Sequence, residues 1–201
     1  WEHLDYKDVI ESAKKSLKRL QTDYLDLYLV HGHNPSFDLR ETMKAMDELV
    51  ETGLVKNIGV CNFSKETLDK AQGFSASKIV CNQVHYNLIY REPEKTGLLD
   101  YCRENDVMLV AWRPVEKGVL AKNDFGIVDG VCKKYSKTPA QIAVNWLASQ
   151  ENVVTIAKMA DERHLIENLA AVNWKMDEAD VELLREKFPG QKSVSNAVPL
   201  G

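Results

Sequence analysis

Short apolar runs alternate along this chain with longer segments in which apolar residues recur at helical spacing. The short runs are bounded by turn-forming residues and predict buried strands at 25–30, 55–60, 79–84, 107–112 and 153–156. Strands that are separated by helices form right-handed βαβ units, and the strands of such units lie parallel. The alternation therefore predicts an α/β fold with about five βα units.

Helices are predicted between these strands from the 3.6-residue spacing of apolar side chains. They cover 6–20, 39–51, a segment capped by Ser64, 96–104, 127–135, 139–149, 162–171 and a C-terminal helix at about 177–187, before a tail at 189–201. A complete (β/α)8 TIM barrel needs eight units and about 250 residues. Because no linker divides residues 1–201, we expect one domain, either an incomplete barrel or an open α/β sheet. None of the ten glycines forms a Gly-x-Gly pair, which disfavours a Rossmann fold.

The composition excludes several classes of function. A net charge of −4 without a block of Lys and Arg argues against a nucleic-acid partner. No apolar stretch approaches the roughly 18–20 residues of a membrane span, and no signal peptide opens the chain. The four cysteines are far apart in sequence and form no CxxC pair, as is normal for reduced thiols. We therefore expect a cytoplasmic protein that binds neither nucleic acid nor membrane.

Each predicted strand ends close to a side chain that could bind a ligand. In chain order these side chains are His31, Asn62, Gln83, Trp112 and Lys158. The carboxyl ends of parallel strands meet at one edge of a sheet, where the active sites of α/β proteins are built. A nicotinamide cofactor uses amides for its carboxamide, an aromatic ring for stacking and a cation for phosphate. Taken singly, each residue is more often structural; their joint order favours a cofactor site.

Several motifs, met in order, resemble the aldo-keto reductase family. They are SLKRLQTDYLDLYLVH at 16–31, GLVKNIGVCNF at 53–63, QVHYN at 83–87, WRP at 112–114, PAQIAVNW at 139–146 and KMADERHLIEN at 158–168. The resemblance extends from Trp1 to about Phe188. It implies a (β/α)8 barrel, of which this chain holds about five units, and a reductase that uses NADP(H).

The resemblance also implies a role for each matched residue. His31 would orient the substrate carbonyl and assist proton transfer, as the catalytic residue of this chain. The cofactor contacts that it implies are Cys61, Asn62 and Gln83 around the nicotinamide carboxamide, Trp112 on the nicotinamide ring, Arg113 and the loop 115–120 along the pyrophosphate, Lys158 at the 2′-phosphate and Asn168 at the adenine. No metal ion is implied.

Two departures from the family pattern affect cofactor choice. Met159 stands where the family usually has a phosphate-binding Ser or Thr. His164 stands where an arginine is typical, and Arg163 lies one residue early. We expect NADP(H), with His164 in the cofactor site, and NAD(H) as an alternative.

The largest departure concerns the catalytic tetrad that the family builds from Asp, Tyr, Lys and His. The chain starts at Trp1, and none of its seven tyrosines matches the catalytic motif. We therefore expect an N-terminally incomplete sequence. The parent protein is expected to reduce small aldehydes or ketones to alcohols, whereas these 201 residues alone are expected to be inactive.

Two other functions fit parts of the sequence. Some members of the family use this fold as a non-catalytic subunit that binds a cofactor and interacts with other proteins. The lack of a tyrosine that matches the catalytic motif favours that alternative here. More remotely, His31 and His33 resemble the paired zinc ligands of barrel hydrolases, with His85 and Asp161 as further ligand candidates.

Overall fold

The computed structural model describes residues 2–122 and 125–201, so Trp1, where the resemblance begins, lies outside it. Within these residues, helices and strands alternate. The order is α1 (Tyr6–Leu20), β1 (Leu25–Val30), α2 (Leu39–Glu51), β2 (Val55–Cys61), α3 (Lys65–Phe74), β3 (Ile79–His85), α4 (Glu92–Lys95), α5 (Leu98–Glu104), β4 (Met108–Trp112), a 3-10 turn (Glu116–Gly118), α6 (Val119–Lys122), α7 (Gly126–Tyr135), α8 (Pro139–Ala148), β5 (Val153–Ile156), α9 (Glu162–Leu169) and α10 (Glu178–Lys187). None of these helices is long and apolar enough to cross a membrane.

The chain divides into two compact units. The first holds the chain through Gln83, with Thr96–Met108 and Leu200–Gly201. The second holds Val84–Lys95 and Leu109–Pro199. Each unit has its own hydrophobic core and its own part of the predicted site.

In the first unit, β1 pairs with β2 and β2 with β3, both in parallel. Val30 lies opposite Val60, and Cys61 lies opposite Gln83. These registers bring the three strand ends to the same edge, which places His31, Asn62 and Gln83 near one another.

The core of the first unit is closely packed around β2. Ile58 and Val60 are fully buried, as are Met43, Met46 and Leu49 of α2. A Cβ atom at Gly59 would lie 2.5 Å from Leu29 Cδ2 and 2.6 Å from Cys81 Sγ. The motif glycine is therefore required for the close approach of β1 and β3 to β2.

In the second unit, β4 pairs in parallel with β5, and Trp112 lies opposite Ile156. The core of this unit is built on α8, whose Trp146 is fully buried and donates a hydrogen bond to the Val181 carbonyl at 3.1 Å. The helix begins with a capping box between Thr138 and Gln141, with Pro139 in the first turn as predicted.

The bounds of β2, β3 and the helices α7 to α10 differ from the predicted ones by one or two residues, and three differences are larger or have an identifiable cause. The helix predicted over 96–104 begins two residues late, as α5, because Gly97 adopts a left-handed conformation with φ 72° at its N-cap, and the short helix α4 before it was not predicted. Val107 lies outside β4, since its N–H donates to the Cys102 carbonyl at the end of α5 at 2.8 Å. The 3-10 turn and α6 were not predicted.

The four cysteines are free. Cys61, Cys81 and Cys102 are buried in the first unit, and burial raises their pKa to about 12, 11 and 12, respectively. These three thiols therefore stay protonated at neutral pH. Cys132, on α7 of the second unit, is half-buried.

Candidate functional site

Four of the nine predicted site residues lie in the first unit, and contacts link them. His31 is exposed directly after β1, and the Asn62 side chain donates a hydrogen bond to the His31 carbonyl at 3.3 Å. The Asn62 N–H donates to the Gln83 carbonyl at 2.9 Å. Asn62 has φ 58°, a conformation that Asn tolerates better than most residues. The structure thus joins His31, Asn62 and Gln83 in one group.

Cys61 joins this group through the strand pairing, because it lies opposite Gln83. Its pKa is raised to about 12 by burial and by the neighbouring Cys81, so its thiol is neutral. A buried neutral thiol is only a weak hydrogen-bond donor. The backbone of Cys61 is therefore better suited than its thiol to contact a nicotinamide carboxamide.

His31 also lines a small cleft of about 220 Å³ in the first unit. Tyr28 is the tyrosine in this cleft, and burial raises its pKa despite the opposing effect of Arg19. A phenol that acts as a general acid near neutral pH needs a lowered pKa. The cleft therefore holds the predicted histidine without a tyrosine poised to donate a proton.

The other five predicted residues line one large cleft in the second unit. The cleft has a volume of about 970 Å³. Its lining is Trp112, Arg113, Pro114, Val115, Lys117, Gly118, Ala121, Lys122, Ala140, Ile156, Ala157, Lys158, His164, Glu167 and Asn168. Residues separated by up to 56 positions in sequence thus meet where the resemblance implies that the cofactor binds.

The charged side chains make this cleft suitable for an anion. Lys158 and His164 line the cleft and are exposed to solvent, and Arg113 and Lys117 line it from the loop after β4. Glu167 is the acidic residue of the lining, and it accepts a hydrogen bond from the Thr138 hydroxyl at 2.6 Å. Cations therefore outnumber acids in the lining, which favours binding of phosphate groups.

The loop that follows β4 has an unusual backbone. Arg113, Glu116 and Lys117 all have positive φ, at 58°, 43° and 54°, and Gly118 follows at 88°. Left-handed conformations of residues other than Gly are uncommon and persist only where the surroundings hold them. The loop predicted to follow the pyrophosphate is therefore held in one particular shape.

A buried polar cluster behind this loop was not predicted. His85 is 2% exposed, and its ring nitrogens lie 2.7 Å from Glu116 Oε2 and 2.7 Å from Ser195 Oγ. Asn87 donates hydrogen bonds to Glu116 and to the Arg113 carbonyl. Ser195 lies 110 positions from His85, so no local sequence pattern marks this cluster.

The arrangement does not support the metal-hydrolase alternative. In residues 2–122 and 125–201, no group of three or more His, Cys, Asp and Glu side chains could hold a metal ion. His33 packs edge-on against Phe63, with ring centroids 5.9 Å apart. Both nitrogens of His85 contact Glu116 and Ser195, and Asp161 contacts Arg163.

Two curated relatives match most of this chain. A glyoxal reductase of Bacillus subtilis (strain 168) is 33% identical over 178 residues, which are 88% of this chain and 62% of that protein. The methylglyoxal reductase DkgA of Escherichia coli (strain K12) is 31% identical over 189 residues, 94% of this chain and 67% of that protein. The chain thus spans about three fifths to two thirds of the length of these relatives.

Solved structures share the fold. The thermostable aldo-keto reductase Tm1743, crystallised with the inhibitor epalrestat, superposes with a TM-score of 0.88 at 42% identity, over 91% of this chain and 67% of that one. An aldo/keto reductase from Klebsiella pneumoniae in complex with NADP and acetate gives a TM-score of 0.84 at 27% identity, over 99% of this chain and 71% of that one. The predicted fold is confirmed as part of a (β/α)8 barrel.

The family model described as "Aldo/keto reductase family" matches residues 2–188, which hold all the strands described above and all nine predicted site residues. Sequence motifs, strand order and structural neighbours agree with this match. The chain belongs to the aldo/keto reductase family.

Proposed function

We propose that this chain supplies the cofactor site of an NADP(H)-dependent reductase of small aldehydes and ketones. The observation that carries the proposal is the large cleft, where Trp112, Arg113, Lys158, His164 and Asn168 come together. The relatives named glyoxal reductase and methylglyoxal reductase support small carbonyl compounds as substrates.

The residues of the cleft fit a phosphorylated dinucleotide. Arg113 and Lys158 offer positive charge for phosphate oxygens, and the Asn168 amide can both donate and accept hydrogen bonds, as an adenine requires. The apolar part of the wall, with Val115, Ile156 and Ala157, suits the flat faces of the bases.

Trp112 is suited to contact the nicotinamide ring. Its indole is half-buried at the end of β4, where it lines the cleft. One face of the indole is covered by the His85 imidazole at a centroid distance of 4.3 Å, and the Arg113 guanidinium lies over the indole at 4.9 Å from its centroid. A nicotinamide that stacks on Trp112 would therefore displace this guanidinium from the ring.

The bound nicotinamide would supply a hydride for the carbonyl carbon of the substrate. His31 would donate a hydrogen bond to the carbonyl oxygen and orient the substrate. Its position is supported by the hydrogen bond between the Asn62 side chain and the His31 carbonyl, which restrains the backbone after β1.

We further propose that the 201 residues alone do not complete the reaction. Five tyrosines have a pKa that departs from the ordinary value, and burial raises it in each case; they are Tyr28, Tyr86, Tyr90, Tyr101 and Tyr135. Loss of a general acid slows a reaction by about 10²–10⁴-fold. The same observation keeps a non-catalytic, cofactor-binding subunit as the second candidate function.

The cytoplasm is the compartment that we propose for this protein. All four cysteines are free thiols, and three of them are buried where oxidants have little access. Free thiols persist in reducing compartments.

A binding titration tests the proposed cofactor site, and a turnover assay tests the proposed lack of activity. Purified chain is expected to bind NADPH but to leave glyoxal and methylglyoxal unreduced, as measured by NADPH absorbance. Absence of NADPH binding would contradict the cofactor site. NADPH oxidation above the protein-free rate would contradict the proposed need for a further acid.

A further inference from the structure

His85 occupies a position in the second unit that its sequence neighbours do not explain. It is the last residue of β3, it is buried, and its ring lies between two aromatic rings. The Trp112 ring is 4.3 Å away at an interplanar angle of 11°, and the Tyr90 ring is 4.3 Å away at 27°. The imidazole is thus packed flat against the indole that lines the cofactor cleft.

The hydrogen bonds around His85 define which ring nitrogen carries the proton. Ser195 Oγ accepts from the N–H groups of Ala197 and Val198, both at 3.1 Å, so its own proton is left to donate to His85 Nδ1. His85 Nε2 therefore carries the hydrogen that is donated to Glu116 Oε2. The Asn87 amide nitrogen also lies 3.3 Å from Nε2, but its two hydrogens are donated to Glu116 and to the Arg113 carbonyl. The imidazole has one donor and one acceptor, and both are used.

The charge state of His85 agrees with this assignment. Burial lowers its pKa, and Arg113 acts in the same direction, whereas Glu116 and Glu92 oppose them. The net effect is a pKa below the ordinary value, so the ring is neutral at pH 7.

Glu116 connects His85 to the loop of the cofactor cleft. It is 8% exposed and has φ 43°, an unfavourable conformation for a glutamate. Its Oε2 accepts from His85 and, at 3.0 Å, from Asn87, whose amide also donates to the Arg113 carbonyl at 2.9 Å. The amide of Asn87 is oriented by its oxygen, which accepts from the N–H groups of Ile89 and Tyr90. These bonds hold Arg113 and Glu116 in left-handed conformations that would otherwise relax.

We propose that His85 is a positioning residue of the cofactor site, fixing the Trp112 indole by stacking and the loop 113–118 through Glu116, and tying both to the tail segment at Ser195. This inference rests on the proposed function, because it assigns His85 a task in cofactor binding. It goes beyond that function by making the affinity for cofactor depend on a serine outside the cleft lining.

Two variants separate the hydrogen bonds from the stacking. His85→Phe keeps a flat ring against Trp112 but removes both hydrogen bonds of His85. Ser195→Ala keeps the imidazole and removes the hydroxyl that donates to Nδ1, together with the acceptor of the Ala197 and Val198 N–H groups. Ser193→Ala is the matched control, since Ser193 is exposed on the same segment.

The dissociation constant of NADP⁺ for the purified 201-residue chain, measured by calorimetry, is the first readout. A net hydrogen-bond contribution corresponds to about 2- to 12-fold in a binding constant, and bonds to charged groups correspond to more. We therefore expect Ser195→Ala to weaken NADP⁺ binding by about 3- to 10-fold and His85→Phe by about 10-fold or more. Ser193→Ala should not change it. Ser195→Ala and His85→Phe proteins that fold and bind NADP⁺ as tightly as the unaltered chain would overturn the proposal.

A second readout does not require cofactor binding. Nitrogen-15 spectra of labelled histidines report which ring nitrogen carries the proton, and His85→Phe identifies the His85 signals. The Nε2–H form is expected in the unaltered chain, with a shift of these signals alone in Ser195→Ala. A predominant Nδ1–H form would overturn the inference. If the unaltered chain binds no NADP⁺, the proposed function fails, and the role of His85 in cofactor binding fails with it even where the tautomer is as expected.

Discussion

Asp161 holds the guanidinium of Arg163 through both carboxylate oxygens, with Nη2 2.8 Å from Oδ2 and Nε 3.3 Å from Oδ1. The same carboxylate caps α9 by accepting the backbone N–H of Arg163 at 2.8 Å. The charge of Arg163 is thus already compensated, although the residue lies next to His164 in the cofactor segment. Lys158 and His164, which line the cleft, are therefore the residues we assign to a 2′-phosphate.

Lys158→Met tests this assignment. A hydrogen bond to a charged group contributes about 1.5–3 kcal/mol, so losing the contact should weaken NADPH binding by about 10- to 150-fold. NADH lacks the 2′-phosphate and should bind as before. Fluorescence titrations with both cofactors measure the ratio, with Lys175→Met as the control for an exposed lysine outside the cleft. An equal loss of affinity for NADH and NADPH would mean that Lys158 is structural.

Asp161→Asn should have the opposite effect on cofactor choice. The asparagine oxygen can still cap α9, but it no longer neutralises the guanidinium of Arg163. We expect the released Arg163 to strengthen NADPH binding, with NADH binding unchanged. The same titrations measure this, and Asp161→Ala, which also loses the cap, shows how much of any change comes from the helix. No gain for NADPH in the Asn variant would mean that Arg163 cannot reach the phosphate.

The pH dependence of stability should show the contribution of Asp47. Burial opposes its ionisation, but hydrogen bonds from Ser75 Oγ at 2.6 Å and from the N–H groups of Ala76 and Ser77 at 2.9 and 3.0 Å outweigh this and lower its pKa. A carboxylate whose pKa is lowered on folding stabilises the protein above its unfolded pKa, and this stabilisation is lost as the pH falls through the folded value.

Asp47→Ala should therefore cost about 1–3 kcal/mol of unfolding free energy at pH 7. The difference from the unaltered chain should shrink as the pH falls below 3.8, the ordinary value for this group. Thermal melts at pH 7 and at successively lower pH provide the comparison, with the exposed Asp23→Ala as control. A difference that is constant across this range would show that the ionised carboxylate is not what stabilises the segment 75–77.

Two glycines of the first unit should respond oppositely to alanine. At Gly59 the added Cβ would lie 2.9 Å from the Cys81 carbonyl oxygen as well as against two side chains, so Gly59→Ala should destabilise the protein by about 1–3 kcal/mol. At Gly73, exposed near the end of α3, nothing lies within 4 Å of the new Cβ. Gly73→Ala should stabilise the protein by about 0.5–1 kcal/mol. Denaturant melts measure both, and equal effects would contradict the close packing at β2.

Local sequence patterns predicted most of the fold. The apolar runs that became β1 and β5 are bounded by turn residues and match the predicted spans. Ser64 caps α3 by accepting the Thr67 N–H at 3.2 Å, because a serine before a helical pattern is a local signal. The 3-10 turn was missed because the left-handed conformations of Glu116 and Lys117 are imposed by tertiary contacts rather than by residue type.

The candidate site was predictable where it follows the order of the strands. Trp112 and Lys158 line one cleft because parallel strands end at a common edge, and their contacts with a cofactor stay a prediction. The hydrogen bonds of His85 could not be predicted, since the sequence does not show that Glu116 and Ser195 satisfy its nitrogens. The pairing of Arg163 with Asp161 was not predicted, because it depends on side-chain geometry.

The unequal burial of the cysteines has a practical use. Cys61, Cys81 and Cys102 are enclosed and protonated, whereas Cys132 is half-buried on the surface helix α7. Burial also raises the pKa of Cys132, so its reaction with maleimides should speed up at mildly alkaline pH. A fluorophore can therefore be attached to Cys132 of the unaltered sequence, on the unit that carries the cofactor cleft, without removing any of the other thiols.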